Sequence, residues 1–265
     1  MAGRCLCCLR KQCCRILADR MISPITTGIY AGLGAAACAG AAWGAYSYAS
    51  LWPGSRLFGA GLTAPERPGE LALTFDDGPN ATWTPKLLDV LRSHELHATF
   101  FLVGARAKAE PELVRRTVGA GHLIGNHSWD HRNLARSSSD VIREELRRTQ
   151  DVLEEITGKA VKFFRPPYGA RRPAVFRIAR EMGLKLVLWN AMTSDWSDPS
   201  ADRIAHKLAE RIDRLRQRGR ATNIVLHDGG HGDPAANRAA SVGAAERLIE
   251  RYKATHHFVT LDAWV

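Results

Sequence analysis

The alternation of short apolar runs with helical patterns between residues 70 and 265 constrains the fold more than any other feature of the sequence. The runs are rich in β-branched and aromatic residues, which favour strands, and the segments between them carry apolar residues at helical spacing. Strands that alternate with helices predict an α/β fold with a parallel sheet. The seven predicted strands are Leu71–Phe75, Ala98–Val103, His122–Asn126, Lys162–Phe164, Lys185–Trp189, Asn223–His227 and Phe258–Leu261.

Helix-start and helix-stop signals separate these strands. Thr84 precedes a proline at a helix start, and Ser139 and Pro173 open helices that end at Gly158 and Gly183. Seven such units, with strands that are apolar on both faces, favour a barrel over a short open sheet. Apolar residues make up 45% of the chain and charged residues 24%, so the composition fits a globular protein and excludes wholesale disorder.

The stretch from Met21 to Ser55 contains no charged residue and follows five basic ones, Arg4, Arg10, Lys11, Arg15 and Arg20. A helix of roughly 20 apolar residues spans a bilayer, and basic flanks favour the cytoplasmic side. We therefore expect an N-terminal apolar membrane-spanning helix in the cell membrane, with the N-terminus cytoplasmic and the body outside. Ser47-Tyr48-Ala49 resembles a signal-peptidase site, so secretion after cleavage is the alternative. A buried helix, a lipoprotein segment and a start at Met21 also stay open.

These patterns divide the chain into four segments: a basic, Cys-rich segment (1–20), the anchor or signal segment (21–55), a linker (56–69) and the body (70–265). All six cysteines lie within the first 38 residues, so the body has no Cys nucleophile and no Cys-ligated zinc. The cysteine cluster could bind a metal or carry acyl groups, although ordinary thiols are the favoured interpretation.

The formal net charge of +10 raises the question of nucleic-acid binding. Half of the excess lies in the first 56 residues, and the body shows no run of Lys and Arg with interleaved aromatic residues. We therefore expect no nucleic-acid partner.

Ionisable residues collect where the predicted strands end, which is where α/β folds place active sites. Asp76 and Asp77 end the first strand, and His127 and His131 follow the third. Four residues apart on a helical turn, the two imidazoles would point the same way and form a site of two histidines and one carboxylate. Because neighbouring side chains diverge on an extended strand, one aspartate would ligate and the other would act as a base. Adjacent acids could instead cap a turn.

Five segments, taken together, resemble the motifs of the polysaccharide deacetylases, the NodB-like family that acts on chitooligosaccharides, chitin and peptidoglycan. They are Thr74-Phe75-Asp76-Asp77-Gly78-Pro79, His127-Ser128-x-x-His131, Arg165-Pro166-Pro167-Tyr168-Gly169, Asp195-Trp196 and Val225-Leu226-His227-Asp228. The resemblance extends in order from Glu70 to the end of the chain.

The resemblance implies a distorted (β/α)7 barrel of the NodB-homology type and an enzyme that hydrolyses N-acetyl groups. The substrate would be a GlcNAc-type amino sugar of an extracytoplasmic polysaccharide or oligosaccharide, such as peptidoglycan or a chitin-like oligomer. One divalent metal ion, usually zinc, would be bound by Asp77, His127 and His131.

The resemblance also implies roles for six further residues. Asp76 would be the general base, oriented by Arg165, and His227 would be the general acid, oriented by Asp195. The backbone N–H of Tyr168 would help to hold the oxyanion, and Trp196 would wall the acetyl pocket.

Two positions depart from the family pattern: Met192 stands where many members have an aspartate, and Val225 where leucine is usual. A catalytically silent carbohydrate-binding relative is the alternative to an enzyme, but the intact set of metal ligands, acid and base argues against it. His231 follows His227 in a Gly-rich loop, and we favour a solvated side chain there over one that touches substrate.

Overall fold

The computed structural model describes residues 24–265, and the chain divides between Tyr48 and Ala49 into two compact units that are treated separately. The predicted basic, Cys-rich segment 1–20, with five of the six cysteines, and the possible start at Met21 lie outside the described residues.

The uncharged N-terminal stretch forms one helix, α1 (Pro24–Leu51). The predicted single-pass membrane anchor is nevertheless wrong, since no helix within residues 24–265 is both long and apolar enough to cross a bilayer. The helix has sufficient length at 28 residues, but Ala, Gly, Ser and Thr supply most of it, and these residues contribute little apolar surface.

A parallel sheet with helices between its strands forms the body, as the alternating pattern predicts, but it has eight strands where seven were expected. The strands occur in the order β5-β4-β3-β2-β1-β7-β6, and β8 pairs with the start of β1. Their bounds are β1 (Glu70–Gly78), β2 (Thr99–Leu102), β3 (Leu123–Asn126), β4 (Phe163–Phe164), β5 (Lys185–Leu186), β6 (Ala191–Met192), β7 (Thr222–His227) and β8 (His257–Phe258).

Seven helices of the body connect these strands. They are α2 (Trp83–Ser93), α3 (Gly104–Ala109), α4 (Pro111–Gly119), α5 (Ser139–Thr157), α6 (Pro173–Glu181), α7 (Ala201–Gln217) and α8 (Ala239–Tyr252). Short 3-10 turns occur at Leu134–Arg136, Pro167–Gly169 and Leu261–Trp264. The predicted helix starts at Ser139 and Pro173 are confirmed. The predicted stop at Gly158 is confirmed as well, since Gly158 caps α5 in the left-handed conformation.

The sheet curves into a half-barrel, and its described strands do not pair into a closed ring. The strand predicted over Lys185–Trp189 ends at Leu186, and β6 forms separately at the opposite end of the sheet. Leu62 from the predicted linker pairs in parallel with Val187, donating to the carbonyl of Leu186 at 2.9 Å and accepting from the amide of Leu188 at 2.8 Å. The linker thereby satisfies backbone groups that a neighbouring strand would otherwise pair.

Strand β1 lies at the centre of the sheet and is buried from Leu71 to Gly78. Alternate residues of a strand point to opposite faces. Leu71, Leu73 and Phe75 accordingly pack in the large apolar cluster with the helices, whereas Ala72 joins a smaller cluster with residues of β2 and β4. Thr74 and Asp76 share the face of Ala72, so the pleat aims a carboxylate at the interior of the half-barrel.

Candidate active site

The end of β1 departs from regular strand geometry at the paired aspartates. The register between β1 and β2 shifts between Asp76 and Gly78, and Asp77 has a φ of 70°. A bulge of this kind re-aims a side chain. The expected divergence of the two carboxylates is therefore wrong: the Nε2 atom of His127 lies 3.3 Å from Asp77 Oδ1 and 4.0 Å from Asp76 Oδ2.

His127 and His131 lie on an irregular loop after β3 and not on the expected helical turn. Ser128 and His131 both have positive φ, at 64° and 61°. The loop is held by side chains, since the carboxylate of Glu145 accepts from the amides of Trp129 and Asp130 at 2.9 and 3.2 Å. Strained backbone supported in this way is common at functional sites.

Asp77, His127 and His131 form a compact set of potential metal ligands. One ligand atom from each lies within 4.8 Å of the others, and all three residues are buried. His131 Nε2 lies 3.0 Å from Asp77 Oδ1, yet that buried oxygen has no hydrogen-bond partner with good geometry among the described residues. The Nδ1 atom of His127 lies 2.8 Å from the carbonyl of Arg165, so that Nε2 is the ring nitrogen that faces the ligand set. The donor set fits a divalent ion such as zinc.

The pKa shifts in this set favour the ligating forms. Burial alone would raise the pKa of Asp77, but the close approach of the His127 and His131 rings holds that pKa well below its usual range. Burial lowers the pKa of His131, and the attraction of Asp77 offsets this only in part. An anionic carboxylate beside neutral imidazole is the protonation state that a metal site requires.

Asp76 is held by a fully buried arginine. Arg165 donates from Nη1 to Asp76 Oδ1 at 2.7 Å and to Thr74 Oγ1 at 2.7 Å. Its guanidinium lies 4.1 Å from the ring centroid of Phe101. Burial lowers the pKa of Arg165, while Asp76 opposes that shift. Because an unpaired buried charge is costly, the pair holds the side chain of Asp76 in one orientation.

His227, at the end of β7, is held by Asp195. Its Nδ1 lies 2.9 Å from Asp195 Oδ1, and its amide donates to Oδ2 at 2.9 Å. Ser241 donates to the same Oδ2 at 2.7 Å. Burial disfavours the imidazolium, but the charge and hydrogen bond of Asp195, with the charges of Asp77 and Asp76, outweigh it and raise the pKa of His227 to about 9. His227 is thus cationic near neutral pH with Nε2 as a proton donor.

A pocket of about 370 Å³ joins these groups. Seven of the nine residues singled out from the sequence line it, and the other two, Arg165 and Asp195, lie buried behind their partners. Tyr168 has a φ of 59°, and its amide makes no backbone hydrogen bond to any residue in the range 24–265. Trp196 stands edge-on to His227, with ring centroids 5.3 Å apart.

The sequence did not single out Arg106 or Asp228, which brace the pocket from behind. Arg106 donates to the carbonyl of Asp77 and, at 2.6 Å, to that of Gly230. Asp228 is fully buried and accepts from Thr84, and burial raises the pKa of Asp228 to about 7. Only its place beside His227 in the fifth motif could have drawn attention to Asp228.

The side chain of His231 is exposed, as expected. It also lines the pocket and stacks on His131, with ring centroids 5.2 Å apart. The loop after β7 folds back over the metal-ligand set, which the Gly-rich sequence alone does not reveal.

Known proteins share this arrangement of sequence and fold. Residues 63–187 match the family model described as polysaccharide deacetylase. The chain is 36% identical over 203 residues to a peptidoglycan-N-acetylglucosamine deacetylase of Bacillus cereus, covering 76% of this chain and 70% of the relative. It is 34% identical over 193 residues to a chitooligosaccharide deacetylase of Azorhizobium caulinodans, covering 72% and 89%.

A solved structure shares the fold as well. It is a peptidoglycan N-acetylglucosamine deacetylase in complex with 4-naphthalen-1-yl-N-oxidanyl-benzamide, with a TM-score of 0.69 and 36% identity. The match covers 77% of this chain and 91% of that one.

Proposed function

The chain belongs to the polysaccharide deacetylase family and is a polysaccharide deacetylase, and we propose that it removes N-acetyl groups from GlcNAc-type residues of an extracytoplasmic polysaccharide by metal-dependent hydrolysis. The observation that carries this proposal is the pocket itself. The pocket brings together a set of three potential metal ligands, the carboxylate of Asp76, which Arg165 orients, and His227, whose pKa is raised by Asp195.

Asp77, His127 and His131 would hold one divalent ion. An ion bound there would polarise the acetyl carbonyl and lower the pKa of a water molecule toward about 7. The lowered pKa of Asp77 keeps its carboxylate anionic for this, and Nε2 of His127 faces the same point.

Asp76 acts as the general base in the proposed reaction. The attacking water gives a proton to the carboxylate of Asp76 as its oxygen bonds to the acetyl carbon. Arg165 orients the carboxylate through the 2.7 Å hydrogen bond to Oδ1, so that Oδ2 is available to accept the proton. A positioned base of this kind contributes about 10²–10⁴-fold.

His227 acts as the general acid. An amine is a poor leaving group, so the amide nitrogen must gain a proton as its bond to the acetyl carbon breaks, and the imidazolium of His227 supplies it. The charge on Asp195 stabilises this imidazolium before the reaction and orients the ring through Nδ1. The products are acetate and a free amino group on the sugar.

Tyr168 and Trp196 shape the acetyl site. The backbone amide of Tyr168 has no backbone partner among the described residues, so it is available to donate to the oxyanion that develops on the acetyl carbonyl. One such donor contributes about 10²–10³-fold to kcat. The indole of Trp196 forms the wall beside His227.

Acetate release tests the proposal. The purified chain, incubated with peptidoglycan and with a chitin oligomer, should release acetate, lose this activity with a chelator, and regain it with added zinc. Retention of full activity after the metal has been removed would contradict the metal-dependent mechanism. No acetate release from any N-acetylated glycan would instead favour a silent carbohydrate-binding relative.

A further inference from the structure

A fully buried arginine follows the turn that carries the amide of Tyr168. Arg171 has no exposed surface, and no carboxylate pairs with it among residues 24–265. Burial lowers the pKa of Arg171, and no acidic neighbour opposes that shift. Because a buried charge is costly unless it is paired or hydrogen-bonded, the groups that contact this guanidinium carry all of its stabilisation.

Backbone carbonyls take the place of an acidic partner. Nη1 of Arg171 donates to the carbonyl of Gly169 at 2.9 Å and to that of Ser50 at 3.2 Å. Nη2 donates to the carbonyls of Trp52 and Ser55. The backbone amide of Arg171 also donates to the carbonyl of Ser50, at 3.0 Å. One residue thus joins its own turn to a segment that lies 116 to 121 residues earlier in the chain.

The turn itself, Pro167–Gly169, has an unusual backbone. Tyr168 has a φ of 59° and Gly169 a φ of 63°, so two successive residues lie in the left-handed region. For a tyrosine this conformation is strained, and it persists only where the surrounding structure holds it. The same conformation leaves the amide of Tyr168 without a backbone partner among the described residues, as the proposed oxyanion contact requires.

Contacts on several sides hold this turn. The amides of Gly169 and Ala170 donate back across it at 2.9 Å each. A Cβ on Gly169 would lie 2.7 Å from the indole of Trp189, so the turn packs closely against that ring. The guanidinium of Arg171 then fixes the carbonyl of Gly169, the last residue of the turn, through a charge-assisted hydrogen bond.

The segment that fixes Arg171 lies outside the part of the chain that matches the family model. That match begins at residue 63, whereas the three carbonyls belong to segment 50–55. The segment and the turn nevertheless belong to one compact unit, Ala49–Val265. The family match therefore does not assign this contact.

We propose that Arg171 is a positioning residue for the oxyanion contact. It holds the turn so that the amide of Tyr168 faces the developing oxyanion, and segment 50–55 holds Arg171 in place. This inference rests on the proposed deacetylase function and extends it to a residue that does not line the pocket and acts through Tyr168.

Arg171→Lys in the full-length chain tests the proposal. Lysine keeps a buried positive charge, but its ammonium lacks the planar fork that reaches carbonyls on both sides. The kcat for acetate release should fall at least about tenfold, within the 10²–10³-fold that one oxyanion donor contributes. KM and zinc affinity should not change, because neither the substrate-binding walls nor the metal ligands contact Arg171.

Arg172→Ala is the matched control. This neighbouring arginine donates to the carbonyl of Ser137 at 2.8 Å, away from the turn. Its loss should leave kcat, KM and zinc affinity at wild-type values. An unchanged kcat in Arg171→Lys, or an equal fall in both variants, would overturn the inference.

Amide hydrogen exchange reports on the turn without any need for catalysis. In Arg171→Lys the amides of Gly169 and Ala170 should exchange at least about tenfold faster than in wild type, while those of the central strand β1 keep their rates. Unchanged exchange in the turn would overturn the inference, and so would faster exchange throughout the body, which would indicate a general loss of stability. Absence of acetate release from wild type would reject the deacetylase proposal instead, and the exchange rates would still decide whether Arg171 holds the turn.

Discussion

At the residue scale, the two groups that exchange protons in the proposed reaction are each held by an opposite charge. Arg165 forms an ion pair with Asp76, and the charge of Asp195 favours the cationic form of His227. Both partners are almost completely buried, so their charges act through protein with little screening by water. The base is therefore oriented, and the acid is protonated, before substrate binds.

The raised pKa of His227 predicts the basic limb of the pH–rate profile. The acid is active while protonated, so kcat should fall as pH rises through about 9, and a bound cation would move this limb lower by offsetting the attraction of Asp77. Asp195→Asn removes the main attractive charge and should shift the limb to lower pH by about one unit or more.

Ser241→Ala serves as the control for this shift. It removes one hydrogen bond to Asp195 without changing a charge, so the limb should move much less than in Asp195→Asn. An unmoved limb in Asp195→Asn would mean that His227 is not the titrating acid.

At the element scale, the site depends on the bulge that ends β1 and on the loop that follows β7. Gly229 lies directly against the backbone of Asp77, and a Cβ there would overlap the carbonyl oxygen of Asp77. Arg106 binds that same carbonyl and the loop. The position of the ligand carboxylate is thus set by backbone packing between two elements.

Gly229→Ala should therefore displace Asp77 and lower both metal affinity and the free energy of unfolding. Overpacking typically costs about 1–3 kcal/mol. Gly232→Ala is the control in the same loop, because a Cβ there meets nothing within 4 Å. Denaturant unfolding and metal titration of both variants check the prediction, and equal behaviour of the two would refute it.

The element scale also shows how far the sequence predicts the structure. The apolar, β-rich runs of the sequence correctly predicted the positions of β1, β2, β3 and β7, because runs of apolar residues indicate strands that are buried in the sheet. The spacing of His127 and His131 indicated a shared site, but the loop that unites them depends on Glu145, which lies 14 residues beyond His131 on another element. The bulge at Asp77 is likewise contacted by Arg106 and Gly229, which lie far from it in the sequence, so no local pattern encodes these contacts.

At the scale of the whole molecule, the absence of a charge over Met21–Ser55 was a poor guide to membrane insertion. Spanning a bilayer requires apolar surface as well as neutrality, and a helix dominated by Ala and Gly supplies too little of it. The alternation of strands and helices, in contrast, predicted the parallel α/β fold, but it favoured a seven-unit barrel over the half-barrel that forms. The pairing of Leu62 with Val187 could not be foreseen from a polar linker.

Metal binding should stabilise the whole fold, because the ligand set forms only when β1 and the loop after β3 are in place. An ion at 100 times its Kd would add about 2.7 kcal/mol to the free energy of unfolding. Added zinc should raise the Tm of the wild type, and this increment should vanish in His127→Ala.

His231→Ala is the matched control for the thermal measurement. His231 stacks on His131 but does not belong to the ligand set, so its loss should leave the zinc increment largely intact. Equal increments in wild type and His127→Ala would show that the ion binds elsewhere.

The division of labour between the adjacent aspartates is the central claim, and paired measurement of bound metal and acetate release in Asp76→Asn tests it most directly. The account predicts that Asp76→Asn keeps one divalent ion and loses about 10²–10⁴-fold in kcat. Asp77→Ala should lose metal affinity and activity together. An Asp76→Asn enzyme with near-normal kcat, or one that loses its metal as Asp77→Ala does, would contradict the account.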